Sequence, residues 1–174
     1  NEDVIELTGA FIYLLQDSIH LEENSLFGLT ETEIEVIQKY IIIQKYRYAD
    51  QFSFECVFDP ELKDTCIPKN ILQPLIENAI IHGVCPSECP CRIELNVKKE
   101  GNKIRILIMD DGVGMEPSLA NQLTDCTAPE RIRKKSSKMR AIGLKNIAEK
   151  LQFVYHEDYE FTITSDPSFG TMIR

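Results

Sequence analysis

The sequence predicts an α+β fold, a two-layer sandwich in which helices cover one face of a mixed sheet and further helices precede it. Three observations lead there. Segments with apolar residues three and four apart alternate along the chain with segments whose apolar residues fall at every second position. The period-two segments are linked mostly by short turn signals, the mark of hairpins rather than of an all-parallel sheet. No internal repeat or low-complexity tract interrupts this order.

The elements follow in chain order. "EDVIELTGAFIYLLQDSIHL" carries a helical stripe through Val4, Leu7, Phe11, Leu14 and Leu15. After a loop holding Asn24 and Gly28, Thr30 with Glu33 three residues on reads as a capping-box start for a long second helix. In "QFSFECVF", Phe52, Phe54, Cys56 and Phe58 alternate with Ser53 and Glu55, so this is a strand exposed on one side, and "DPELKD" is the turn behind it. A helix then begins near Pro68. Pro74 lies inside it, so either its first turn is irregular or the helix proper starts near Gln73. "RIELNVKK" and "KIRILIMD", joined by "EGN", form a hairpin. Residues 116–140 show little periodicity, "IGLKNIAEKLQFVY" is helical again, and "EFTITSD", "PSFG" and "TMIR" read as strand, turn and strand.

The 174 residues are 43% apolar and 27% charged, ordinary for a globular domain with a real core. No apolar run approaches the roughly 20 residues that span a bilayer, and no signal-peptide pattern opens the chain. It starts at Asn1 without a Met and ends at Arg174 within a predicted strand, so the expectation is a soluble fragment of something longer. A net charge of −9 weighs against a general nucleic-acid binder. The average hides one asymmetry: "RIRKKSSKMR", residues 131–140, holds six of the nineteen basic residues and no acid, leaving about −15 elsewhere. Six cysteines do not make a disulfide scaffold here. Cys85, Cys89 and Cys91 cluster at C-x3-C-x-C spacing with His82 the nearest fourth ligand, which is not the paired spacing of structural zinc. Reduced thiols are the expectation.

Three stretches carry chemistry. In "ILQPLIENAIIHG", Leu72, Leu75, Ile76, Ala79 and Ile80 form an apolar helical stripe, yet Glu77, Asn78 and His82 are set among them. In "MDDGVGM", an apolar strand ends at Asp110, and Gly112 and Gly114 follow at alternate positions. Glycines there let backbone approach a ligand closely, and a buried strand-end carboxylate needs a donor, of which an adenine amino group is one. In "AIGLKNIAEKL", a glycine just before a helix leaves N–H groups facing an anion such as phosphate.

In this order and spacing the three stretches resemble the nucleotide-binding fold of the GHKL superfamily, which holds sensor histidine kinases, type II topoisomerases, the Hsp90 chaperones and mismatch-repair ATPases. The finer resemblance is to bacterial sensor histidine kinases of the LytS/YesM type, from about residue 5 to the last, with "SFGT" matching their closing glycine-threonine turn. It implies the Bergerat-type fold, with residues 1–50 linking to an absent phosphoacceptor domain, residues 51–174 as the ATP-binding domain, and an ATP lid at about 116–140. By position, Asn78 is the residue that holds Mg²⁺ on the phosphates of ATP, with Glu77 beside it holding a coordinated water and His82, one turn on, reaching the phosphates. Asp110 reads adenine with Thr171 in support, Gly112 and Gly114 shape its pocket, and Gly143 and Leu144 begin the helix facing the phosphates. Glu77 facing solvent and His82 capping the helix end account for those two residues equally well.

Two positions depart from the pattern on the phosphate side. Ile81 replaces a lysine of "NAIKHG", and Ala141 replaces the first glycine of a Gly-x-Gly, where a left-handed backbone would strain alanine. No histidine matches the family's "HF-x-x-N" phosphoacceptor, neither His20, His82 nor His156, so the fragment is not expected to phosphorylate itself. The implied whole is the cytoplasmic domain of a membrane-bound bacterial receptor. It would work as a homodimer, pass phosphate to a cognate response regulator, bind no nucleic acid, and meet the membrane only through N-terminal segments outside this sequence. A degenerate domain that binds nucleotide or partners without phosphoryl transfer is the alternative. A self-sufficient ATPase is disfavoured, because those branches place a catalytic glutamate where this chain has Pro74.

Overall fold

The computed structural model describes residues 2–20, 25–124 and 137–174, with side chains at 3–16, 25–121, 123 and 143–174. Its elements run α1 (Glu2–His20), β1 (Phe27–Leu29), α2 (Thr30–Tyr48), β2 (Phe52–Phe58), β3 (Cys66–Pro68), α3 (Leu72–Asn78), β4 (Cys91–Glu100), β5 (Lys103–Asp110), α4 (Pro117–Thr124), α5 (Ser137–Tyr155), β6 (Ile163–Asp166) and β7 (Gly170–Ile173). Five strands form one mixed sheet in the order β2-β4-β5-β7-β6. Only β2 and β4 run parallel, and the chain between them crosses the sheet through α3, as a parallel pair requires.

Alternation decides which way each strand faces. Ile93, Leu95 and Val97 of β4 and Ile108 of β5 are fully buried and share one core with Leu72, Leu75 and Ile76 of α3 and Leu144 and Ile147 of α5. The opposite face keeps exposed ion pairs, among them Arg92 with Glu55 at 2.6 Å and Arg105 with Glu100 at 2.7 Å. One covered face and one wet face is the two-layer sandwich the sequence predicts.

Several local expectations change. Thr30 and Glu33 do not form a capping box, for α2 has no side-chain cap. Both are buried and tie α2 to the body: the Thr30 hydroxyl donates to the Thr65 carbonyl at 3.0 Å, and Glu33 Oε1 accepts from the Asn70 N–H at 2.9 Å. The short strands β1 and β3 pair with each other, β1 where the sequence suggested a loop and β3 between the expected turn and the helix expected to begin near Pro68. In α1 the packed stripe is Leu7, Ala10 and Leu14 against α2, whereas Val4, Phe11 and Leu15 stay exposed. α3 starts at Leu72, so Pro74 falls in the first turn, where its missing N–H has no intrahelical partner to lose.

The region expected to be a lid contains helix α4, started by Pro117 and packed through the buried Ala120 and Leu123. α5 begins at Ser137 rather than near Ile142. Ala141 therefore sits inside a helix, a conformation alanine favours, and not in a left-handed turn. The rest of the lid, and with it basic residues 131–136, lies outside the described residues.

Candidate functional site

Where α3 ends, the helix does not stop. It widens into a π-helical turn over Ala79–Val84, closed by the Cys85 N–H donating to the Ile80 carbonyl five residues back at 2.8 Å. Such turns are rare and cluster at functional sites. The last carbonyls of any helix need outside partners, and that of Gly83 accepts from the Val113 N–H at 3.1 Å. The end of the polar helix is thereby stitched to the loop after β5.

Asp110 closes β5 on the inner face, 7% exposed, directly opposite Thr171 of β7. Its Oδ1 accepts from the Gly112 N–H at 3.1 Å. The walls around this carboxylate are backbone. A Cβ at Gly83 would stand 2.5 Å from Asp110 Oδ1, and one at Gly112 would meet the Gly83 carbonyl carbon at 2.3 Å. Gly114, at φ +66, and Gly170, at φ +89, bring the β5 loop and the β6–β7 hairpin together, each leaving about 2 Å where a Cβ would go. So Asp110, Gly112, Gly114 and Thr171 converge on one place.

Asn78 is the last residue of α3 and is buried at 6% exposure, and His82 lies four residues on, half-buried in the π turn. Glu77 has local contacts of its own. Its Oε1 accepts from Gln73 Nε2 at 3.0 Å, and it lies close enough to Tyr40 of α2 that burial first and the Glu77 carboxylate second push that tyrosine hydroxyl far above its usual range. Gly143 and Leu144 do not begin a helix; they sit inside α5, with Leu144 in the core and open space around Gly143. The expected anion-binding helix start is therefore not at Gly143.

Three residues at the site were not singled out from sequence: Gly83, Ser165 and Gly170. Gly83 and Gly170 stand in quoted motifs, and only the close approaches reveal their role. Ser165, on β6, gave no signal beyond strand alternation. Among the described residues, five cysteines are free thiols and no group of three or more His, Cys, Asp or Glu is placed to hold a metal.

A family profile described as "Histidine kinase-, DNA gyrase B-, and HSP90-like ATPase" matches residues 66–174, more than half of the chain. The chain belongs to this ATPase family. Within it, the chain is 32% identical over 172 residues to the sensor histidine kinase YesM of Bacillus subtilis, covering 99% of this chain and 27% of that protein. It is 32% identical over 160 residues to the sensor protein LytS of Oceanobacillus iheyensis, covering 92% of this chain and 26% of that one. It thus spans about a quarter of the length of these relatives. The fold also matches the histidine kinase domain of the blue-light activated kinase of Erythrobacter litoralis, with a TM-score of 0.55 at 14% identity over 98% of this chain and 72% of that one. The mixed sheet with helices on one face is thus the fold of histidine kinase ATPase domains. Among the described residues, no helix is long and apolar enough to cross a membrane.

Proposed function

We propose that this chain is the ATP-binding catalytic domain of a two-component sensor histidine kinase, which presents the γ-phosphate of ATP to a histidine on a domain outside this sequence. The observation that carries the reading is the buried Asp110 carboxylate at a strand end, walled by Gly83 and Gly112, whose absent side chains leave a shaped approach to it. A carboxylate there stabilises a ligand that donates, and an exocyclic amino group does so. Thr171, across the strand from Asp110, supports that edge, and Gly112 and Gly114 shape the loop beside it.

On the phosphate side Asn78 is the residue to hold Mg²⁺, which when bound supplies charge neutralisation on the phosphates. The donor set fits this ion. The Asn78 amide oxygen is a hard donor of the kind Mg²⁺ takes, and the ion would draw its remaining ligands from phosphate and water. His82, one turn on in the π turn, is the second residue to reach the phosphates. Glu77 borders Asn78, and its bond from Gln73 one turn back braces the side chain along α3. Residues 1–50 link this domain to the phosphoacceptor. The full-length protein, by this reading, is a membrane-held homodimer whose cytoplasmic domain passes phosphate to a response regulator.

The second reading, a nucleotide-binding domain without transfer, is favoured by one observation: Ile81, 47% exposed, stands where the resemblance expects a lysine. Calorimetric titration of ADP and a non-hydrolysable ATP analogue, with and without Mg²⁺, tests the common core of both. Asp110→Asn should weaken binding by about 1.5–3 kcal/mol, tenfold or more. No binding by the unsubstituted chain up to millimolar nucleotide would overturn the proposal. Joining the chain to a phosphoacceptor domain then separates the two readings by the appearance or absence of phosphohistidine.

A further inference from the structure

Strand register lines up Asp110 on β5, Thr171 on β7 and Ser165 on β6 as successive partners on the inner face of the sheet. All three are buried. The Ser165 Oγ lies 2.7 Å from the Gly170 carbonyl oxygen, 2.9 Å from the Met115 nitrogen and 3.0 Å from Thr171 Oγ1. A hydroxyl has one proton to give and two lone pairs to offer. The Gly170 carbonyl only accepts, so the Ser165 proton goes there. The Met115 N–H only donates, so it occupies one lone pair. One solution is left for the third contact: the Thr171 hydroxyl donates to Ser165.

That leaves Thr171 with lone pairs alone to turn toward a ligand, beside a carboxylate that also accepts. A 6-amino purine matches such an edge, donating from its amino group directly or through a bridging water. A 6-oxo purine does not. Its ring N1–H can satisfy the carboxylate, but its carbonyl oxygen then faces a hydroxyl whose proton is committed elsewhere. We infer that Ser165 is a positioning residue for base specificity: by taking the Thr171 proton it fixes that hydroxyl as an acceptor and sets the preference for 6-amino over 6-oxo purines. This rests on the reading of Asp110 and Thr171 as the base-recognising edge.

The test is the ratio of ADP to IDP affinity, measured by calorimetry on the unsubstituted chain and on Ser165→Ala, Ser165→Thr and Thr171→Val. In Ser165→Ala the Thr171 hydroxyl is released to donate to a 6-oxo group, and the preference for ADP should fall by about tenfold, the scale on which a mispaired buried polar group discriminates. Ser165→Thr keeps the hydroxyl and should restore the ratio. In a Thr171→Val background, Ser165→Ala should change it no further. Because Ser165→Ala also strands the Met115 N–H and the Gly170 carbonyl, Ser165→Cys serves if that variant does not fold. Its thiol fills the site but accepts weakly, so the ratio should again fall. A folded Ser165→Ala or Ser165→Cys that keeps the full preference for ADP overturns the inference and leaves the nucleotide reading intact. An unsubstituted chain that binds neither nucleotide overturns both.

Discussion

The two ends of the candidate site are built by different means. Around Asp110, four glycines bring three chain segments so close that any side chain would collide, with backbone at Gly112, Gly114 and Gly170 and with the Asp110 carboxylate itself at Gly83. Along α3 and α5 the residues expected on the phosphate side project from helices, and a Cβ on Gly143 would meet nothing within 4 Å. The first end is a fixed mould and the second an open bench. A planar base is recognised by shape and a few fixed donors and acceptors, which reward rigidity. A charged phosphate chain is held by long-range attraction, which tolerates distance.

That contrast can be broken by substitution, and the largest effect should come from the mould. Gly112→Ala would place a Cβ 2.3 Å from the Gly83 backbone, where no side-chain rotation relieves it. We expect a loss of more than about 3 kcal/mol in a denaturant melt; an unchanged midpoint would mean the contact yields. At the open end the sign should reverse. Gly143→Ala lies inside α5 with room to spare and should stabilise the chain by about 0.8–1 kcal/mol in the same melt. The smallest effect is expected from Ile81→Lys, which puts a cation at a half-exposed position that the proposed function assigns to the phosphate side. The triphosphate analogue should bind more tightly by about 0.2–1 kcal/mol, with the gain lost at high salt.

The same contrast governs what was legible in the sequence. Strands β2, β4 and β5 declare themselves by alternation, because one face of the sheet meets the core and the other meets water. Asp110, Gly112 and Gly114 declare themselves by being out of place after an apolar strand. The three-residue strands β1 and β3 carry no period long enough to read, and their pairing is a tertiary fact. The π turn was hidden because its residues continue the apolar stripe of α3; only the Cys85 to Ile80 hydrogen bond reveals the wider winding. Thr30 and Glu33 show the opposite failure, a local motif whose polar groups are drawn to Thr65 and Asn70 instead. Ser165 stayed silent because a serine in a strand is unremarked until its three neighbours are known.

The anchoring of α2 has a mechanical side. Ile34, Ile37 and Ile41 on this helix are buried in the same core as the sheet, and peeling it away would cost about 1.5–3 kcal/mol for each. Its first turn is fastened beside the segment that leads into α3, the helix that ends in Asn78. A pull or twist arriving along α2 therefore meets a stiff lever rather than a slack tether, and the load falls first on the base of α3.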